Sequence, residues 1–368
     1  QANRQPGSTI KPFVYATGLD AGMTPATLVM DGTFCVYQGA SLGQKCFRNF
    51  GGGGGAGNKP MRWGLEQSRN LMTVHIANDA GMDNVTRTFK NMGIGDYKPY
   101  LSFALGAGDT TVLRMVNAYA ALANNGVQYP ATVMDYVQDR NGKVIWRADN
   151  RRCVGCNMAE WDGKTMPRFE PRGKQVMDPR TAYQTVHMLE GVVTRGTATV
   201  LRDLKLPLFG KTGTTTGPTN VWFVGGSQKY VGGVYLGFDQ PRSLGGYAQG
   251  GRIAAPIFKQ FITETKSRWT ATPFVAPAGV RMVKIDRLSG KRVTGGQPGE
   301  DPKSAIIWEA FKPDTEPKRK TNVDDFVAKR DALIAEVRRS RAPKQAARSN
   351  DAVATEIRDF AEEQGGVY

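Results

Sequence analysis

Arg4-Gln5-Pro6-Gly7-Ser8-Thr9-Ile10-Lys11-Pro12-Phe13 stands almost at the first residue of the chain, and the rest of the sequence is best read outward from it. Pro6-Gly7 is a turn pair, and Ser8 follows it where a helix takes its N-cap or first turn. Ile10, Phe13, Val14 and Tyr15 then predict a helix that runs inward, with Pro12 tolerated in its first turn. Ser8 and Lys11 are three apart and so share a helix face. A serine hydroxyl is a poor nucleophile until a neighbouring base takes its proton, and an amine can do so only when neutral. The helix start also offers free backbone N–H groups to a developing oxyanion. Ser-x-x-Lys is a frequent coincidence on helices, so the pair alone assigns nothing.

Two further motifs change the weighing. Ser68-Arg69-Asn70 follows Met61-Arg62-Trp63-Gly64-Leu65-Glu66-Gln67 and precedes an apolar run, and Lys211-Thr212-Gly213-Thr214 follows Leu206-Pro207-Leu208-Phe209-Gly210. Ser-x-x-Lys, Ser-x-Asn and Lys-Thr-Gly, in that order, are the signature of penicillin-binding proteins and serine β-lactamases. From residue 4 to about 261 the chain resembles the transpeptidase domain of class A (bifunctional) penicillin-binding proteins. Further matching stretches are Ala104-Leu105-Gly106, Asn117-Ala118-Tyr119-Ala120 through Asn124-Asn125-Gly126, and Thr181-Ala182-Tyr183-Gln184. The match continues through Met188-Leu189-Glu190-Gly191, Arg195-Gly196-Thr197-Ala198, Trp222-Phe223-Val224-Gly225 and Ala255-Pro256-Ile257-Phe258. The chain departs from the family at Asn220-Val221, where an Asp-Ala pair is usual, and at the glycine run 51–57, where the family has a tyrosine-bearing segment. Both departures bear on substrate fit.

The resemblance implies an α/β fold of the α+β type, a penicillin-binding protein/serine β-lactamase-like antiparallel sheet flanked by helices. It also implies strands, a glycosyltransferase domain and a membrane anchor ahead of the Ser-x-x-Lys helix. The expectation is therefore an N-terminally truncated chain whose sheet lacks its first strands. By the same resemblance Ser8 is the nucleophile, Lys11 its base, Ser68 a proton relay, and Asn70 and Lys211 the groups that orient them. Thr212, Gly213 and Thr214 bind substrate, the side chains of Thr212 and Thr214 lying on one strand face. The backbone N–H groups of Ser8 and Thr214 form the oxyanion hole. The implied partners are peptidoglycan stem peptides, a D-Ala-D-Ala donor and an amine acceptor, with β-lactam antibiotics as donor mimics. The implied location is the periplasmic face of the bacterial inner membrane, and no cofactor or metal is called for.

Composition is compatible with this reading. The 368 residues can bury a full core, and 49 Lys+Arg against 33 Asp+Glu give a net charge of +16, which favours an acidic partner. No zinc-finger or RNA-binding aromatic signature accompanies the charge, so nucleic acid is not expected as a partner. No apolar run reaches the roughly 18 residues of a membrane span. Four cysteines fall in two local pairs, Cys35 with Cys46 and Cys153 with Cys156. The first spacing is long for a zinc knuckle, and no thioredoxin-like unit surrounds the second. Two structural disulfides in an oxidising compartment are favoured, with four buried free thiols as the alternative.

Along the chain, 32–60 reads as irregular and glycine-rich. Its run 51–57 fails as a phosphate loop because Lys59 is displaced and no Ser or Thr follows it. Helices are predicted over 71–80 and 112–123, a hairpin around Asn141-Gly142, and a surface loop over 147–175. A further helix opens at Asp178-Pro179 and runs through Val193. His75 and His187, the two histidines, sit amid apolar helical residues and read as packed structural groups, which leaves a Ser-His-Asp triad without its base. Three antiparallel strands follow over 206–214, 221–225 and 230–238, then a helix over 256–265. The domain division is 1–270 transpeptidase, 271–312 a small extension with a hairpin around Ser289-Gly290, and 313–368 a charged, largely disordered tail. The rival activities are a β-lactamase or D,D-carboxypeptidase, for which no water-activating glutamate is assigned although Glu170 and Glu190 exist, and a non-enzymatic β-lactam sensor.

Overall fold

The computed structural model describes residues 2–37, 43–52, 54–148, 160, 162–164, 172–294, 296, 298–299 and 304–318. Its centre is helix α1 (Lys11–Asp20), buried on every side as far as Leu19. A helix that is apolar all round has to lie inside the molecule. Pro12 stands in its first turn, where a missing N–H costs nothing. Ahead of it, Gly7–Ile10 form a single 3-10 turn that carries Ser8.

The described residues of the segment expected to be irregular contribute to two small sheets. Within 32–60 stand β2 (Phe34–Tyr37), β3 (Gln44–Phe47) and β4 (Gly57–Pro60), and just before it β1 (Leu28–Asp31). β1 pairs antiparallel with β4, and β2 with β3 in a register that sets Cys35 opposite Cys46. These strands are only four residues each, so their pairing, not their pattern, defines them. Cys35 and Cys46 form a disulfide, as expected; Cys153 and Cys156 lie outside the described residues. Replacing Cys35 and Cys46 together by Ser is expected to cost about 2–3 kcal/mol, since the bridge restricts the unfolded chain but closes only a short loop. Urea denaturation with and without reductant checks this; a midpoint indifferent to reductant would contradict it.

Helices α2 (Met61–Glu66), α3 (Asn70–Ala80), α4 (Met82–Asn91) and α5 (Val112–Ala123) follow. Two short strands come next, β5 (Val127–Gln128) and β6 (Tyr136–Gln138), then β7 (Val144–Arg147) and β8 (Lys174–Gln175). β6 and β7 make the hairpin expected at Asn141-Gly142, where Gly142 supplies the left-handed φ of +81°. Helix α6 (Pro179–Thr194) begins as its sequence predicts, with the Asp178 carboxylate accepting from the Arg180 N–H. Strands β9 (Phe209–Thr214), β10 (Asn220–Gly226) and β11 (Val231–Gly237) form an antiparallel sheet in the order β11-β10-β9. Helix α7 (Ala254–Glu264) starts two residues before the expected position.

The last two strands are β12 (Arg281–Asp286) and β13 (Ile306–Phe311). The chain does turn at Ser289-Gly290, where the Gly290 N–H donates to the Asp286 carbonyl. The main partner of β12 is nevertheless β13, which the sequence reading did not pair with it. Ala26, Val283, Ile285, Ile307 and Phe311 make a small core of their own beneath this hairpin. The sheet and helices together agree with the expected antiparallel sheet flanked by helices.

Candidate active site

The serine turn is clamped to the sheet from both sides of the chain. Arg4 exchanges backbone hydrogen bonds with Thr110 at 2.8 and 3.0 Å, and the indole N–H of Trp222 donates to the Gln5 carbonyl at 3.0 Å. The Arg4 guanidinium donates to the Tyr235 hydroxyl at 3.1 Å, which in turn donates to Asn220 at 3.0 Å. Asn220, one of the two departures from the family pattern, is thus occupied in holding the segment ahead of Ser8. Gly7 has φ of +53°, and a Cβ there would lie 3.1 Å from the Thr214 carbonyl oxygen. Gly213 is equally constrained: a Cβ on it would sit 2.6 Å from the Pro6 carbonyl oxygen. These two glycines let the serine turn approach the strand backbone.

Lys11, one turn beyond Ser8, is fully buried. Its Nζ donates at 2.7 Å to the Ser68 carbonyl and at 2.7 Å to Asn70 Oδ1, and lies 3.4 Å from Ser68 Oγ. Asn70 Nδ2 donates to the Arg48 carbonyl at 3.0 Å, which fixes the amide so that its oxygen faces the lysine. Burial, followed by the positive charges of Lys211 and Arg69, holds the Lys11 amine well below the ordinary lysine range, against a smaller opposing pull from Asp31. A neutral amine has two N–H donors and one lone pair. In its neutral form the two pure acceptors would take both donors and leave the lone pair for a hydroxyl proton.

Lys211, also buried, donates to Ser68 Oγ at 2.8 Å and to the Thr212 carbonyl at 3.1 Å. Burial pushes its ammonium down to about 7. Ser68 therefore stands between the two amines, on a backbone with φ of +56°. That is the left-handed region, which non-glycine residues occupy at a cost and mostly where function requires it. The Ser8 side chain, half-buried, makes no hydrogen bond among the described residues; its carbonyl accepts from the Lys11 N–H.

β9 is the edge of its sheet, and its hydrogen-bond phase follows from one contact. The Thr215 N–H donates to the Asn220 carbonyl at 3.1 Å, continuing the register in which Thr214 faces Val221. In an antiparallel ladder alternate residues bond inward, so Thr212 and Thr214 turn their N–H and C=O groups to the open edge. The Lys211 contact to the Thr212 carbonyl agrees with that phase. Thr212 Oγ1 lies 2.6 Å from Thr197 Oγ1, and Thr214 Oγ1 accepts from the Gly250 N–H at 3.0 Å. Thr197 and Gly250 were not expected at the site, although Thr197 falls within a matching stretch.

Ser68, Asn70, Lys11, Lys211 and Thr212 thus meet in one hydrogen-bonded group, with Ser8 and Thr214 joined to it by the turn and the strand edge. Missed by the sequence reading are Asp31, Asn49 and Arg69, which brace the start of α3: Arg69 donates to Asp31 at 2.8 Å, and Asn49 accepts from the Asn70 N–H at 2.9 Å. His75 packs edge-on against Phe34, and His187 sits 3.2 Å from Glu190 and 3.0 Å from the Trp308 carbonyl. Neither histidine touches the group around Lys11. Glu190 is occupied by His187, and Glu170 lies outside the described residues. Among the described residues no cluster of His, Cys, Asp and Glu is placed to hold a metal, and no helix is long and apolar enough to cross a membrane.

Comparison with known proteins gives a consistent result. The family model for the penicillin binding protein transpeptidase domain matches residues 1–263. Penicillin-binding protein 1A of Rickettsia prowazekii is 37% identical over 315 residues, covering 85% of this chain and 39% of the relative. Its namesake in Pseudomonas aeruginosa is 30% identical over 349 residues, covering 86% of this chain and 42% of the relative. The chain thus spans about two fifths of the length of these curated relatives. Among solved structures, penicillin-binding protein 1A from Haemophilus influenzae superposes with a TM-score of 0.71 at 26% identity, covering 87% of this chain and 49% of that one. The PonA1 protein of Mycobacterium tuberculosis, solved in complex with penicillin V, gives 0.59 at 20% identity over 81% of this chain and 76% of that one. With the lysines of the first and third motifs meeting at the serine of the second and a family match over most of its length, the chain belongs to the penicillin-binding protein transpeptidase family.

Proposed function

We propose that this domain is a D,D-transpeptidase that cross-links peptidoglycan stem peptides through an ester on Ser8, and that β-lactams acylate the same residue. The observation that carries it is the Lys11 amine, buried, depressed in pKa and with both N–H groups committed, so that its lone pair is free to accept a proton. The donor lies along the open edge of β9 with its terminal carboxylate near Lys211 and the Thr214 hydroxyl. Thr214 Oγ1 accepts from Gly250, which leaves its own proton for that carboxylate.

Ser8 Oγ attacks the penultimate D-Ala carbonyl as its proton passes to Lys11. The carbonyl electrons move onto oxygen, which the Ser8 and Thr214 N–H groups receive. As the second residue of its turn, Ser8 has no earlier carbonyl within the turn to occupy its N–H. Losing one such donor typically costs about 3 kcal/mol in the transition state. Collapse breaks the peptide bond, and the proton travels from Lys11 through Ser68 to the departing D-Ala amine. The acceptor amine then attacks the ester, returns a proton to Ser8 and leaves as the cross-linked amide. In a β-lactam the amine remains tethered after ring opening, and the enzyme stalls as the ester.

We assign residues 1–270 to this domain, 271–312 to a small extension and 313–368 to a charged tail, of which residues from 319 onward lie outside the described residues. The Cys35–Cys46 disulfide supports an oxidising location. We place the domain on the periplasmic face of the inner membrane, held there by an N-terminal anchor in the full-length protein. Labelling the chain with a fluorescent penicillin tests the nucleophile. One adduct per chain is expected on the Ser8 peptide, absent from Ser8→Ala; an adduct elsewhere, or none, would sink the assignment. A dimeric product from a stem pentapeptide with an amine acceptor separates transfer from hydrolysis.

A further inference from the structure

Asn49 lies just past β3, 4% exposed, and uses both ends of its amide. Its Oδ1 accepts from the N–H groups of Asn70 at 2.9 Å and Leu71 at 3.2 Å, the first two residues of α3. Arg69, the residue at the cap position, makes no side-chain cap of its own. The helix that carries Asn70 is therefore capped from a distant segment. Asn49 Nδ2 donates to Asp31 Oδ1 at 2.9 Å. The other Asp31 oxygen accepts from the Ala56 N–H at 2.8 Å and from Arg69 Nε at 2.8 Å. Only one amide orientation satisfies two N–H donors and a carboxylate together. The neighbouring Arg48 carbonyl takes Asn70 Nδ2 at 3.0 Å. Residues 48 and 49 so hold Asn70 by backbone and by side chain, while Asp31 holds Arg69, directly after the strained Ser68.

We propose that Asn49, seated on Asp31, is a positioning residue for acylation: it fixes the Ser68–Asn70 turn so that the Asn70 amide oxygen and the Ser68 hydroxyl stay aimed at Lys11. The proposal rests on the acyl-enzyme reading above. Asn49 touches no reacting atom and acts through Asn70. A left-handed non-glycine residue persists only where its surroundings over-determine it, and this pair supplies that restraint on one side of Ser68. Displacement of a catalytic group by about 1 Å can cost on the order of a hundredfold in rate.

The test is the second-order rate of labelling of the full chain by a fluorescent penicillin, with thermal melts to give the folded fraction. Asn49→Ala is expected to label about 10- to 100-fold more slowly per folded molecule. In an Asn70→Ala background the same change is expected to matter less than about threefold, because residues acting as one unit are not additive. Asn49→Asp sets its carboxylate against that of Asp31, and Asp31→Asn leaves an amide NH2 facing another donor, so each is slow. The double variant Asp31→Asn with Asn49→Asp restores donor and acceptor at every contact and recovers most of the rate. It decides the matter even if Asn49→Ala folds poorly. Wild-type rates in folded Asn49→Ala, multiplying effects in the Asn70→Ala background, or a double variant as slow as the singles would each overturn the proposal with Ser8 labelling intact. Absence of Ser8 labelling in the unmodified chain would instead remove the acyl-enzyme reading, and this proposal with it.

Discussion

Replacing Lys11 by Met is expected to slow acylation by penicillin at least about a thousandfold, within the range lost when a general base is removed, while the protein melts no lower than before. Met fills the volume of a fully buried side chain without its amine. The change removes the acceptor for the Ser8 proton and leaves the Ser68 carbonyl and Asn70 Oδ1 each short of a donor. Two opposing effects act on stability. Orphaning the two acceptors destabilises, but removing a buried amine also removes the cost of keeping it there. The sign follows from linkage. An unfolded lysine titrates near the ordinary value of 10.5, whereas burial brings Lys211 to about 7 and holds Lys11 well below 10.5. Between the folded and unfolded values the unfolded chain binds more protons, so stability rises with pH across that window and the penalty is largest below it. Activity has the same direction at its acid limb: lowering the pH protonates Lys11 and slows acylation. Stopped-flow labelling between about pH 5 and 9 reads that limb. Retained labelling in Lys11→Met would remove the base from the mechanism.

The second large effect belongs to stability. Glu309→Ala is expected to cost about 3–5 kcal/mol, because it strands a buried guanidinium. Arg62 donates from Nε and Nη2 to the two oxygens of Glu309, and from Nη1 to Glu66 at 3.2 Å and the His187 carbonyl at 3.1 Å. Arg62 and Glu309 are 1% and 0% exposed, so water cannot replace what is lost. Burial pushes the Glu309 carboxyl up, but Arg62 outweighs it and holds the group below its usual range. Arg195 shares Glu66 at 2.8 Å and supports it, yet reaches nothing that Glu309 bonds. Replacing both partners, as Arg62→Met with Glu309→Leu, is expected to be milder than the single change. Urea denaturation measures both; a single variant costing under about 1 kcal/mol would mean that the pair is already solvated in solution.

Where sequence and structure agree, the reason is local. Lys11, Ser68, Asn70 and Lys211, picked out by three short motifs, do meet in one hydrogen-bonded group, and α5, α6 and β9 to β11 carry apolar periodicities and turn residues at their ends. What escaped depends on contacts over long separations. β1 and β4 are held together across a glycine-rich segment whose pattern is blank, and β12 finds β13 over a connection with no strand signal. Asn49 is one asparagine among many until α3 is set beside it. Arg62 meets Glu309 across most of the described chain. The left-handed backbone at Ser68 has no mark in the sequence, since neither a glycine nor an asparagine stands there. α4 escaped because its surface is polar and only Val85 and Phe89 reach the core.

The unpaired edge of β9 has one more consequence. A chain lying along it would be met through its main chain, so an edge of this kind selects an extended backbone and is largely blind to which side chains that backbone bears. Discrimination between one such chain and another would then fall to side chains outside the strand.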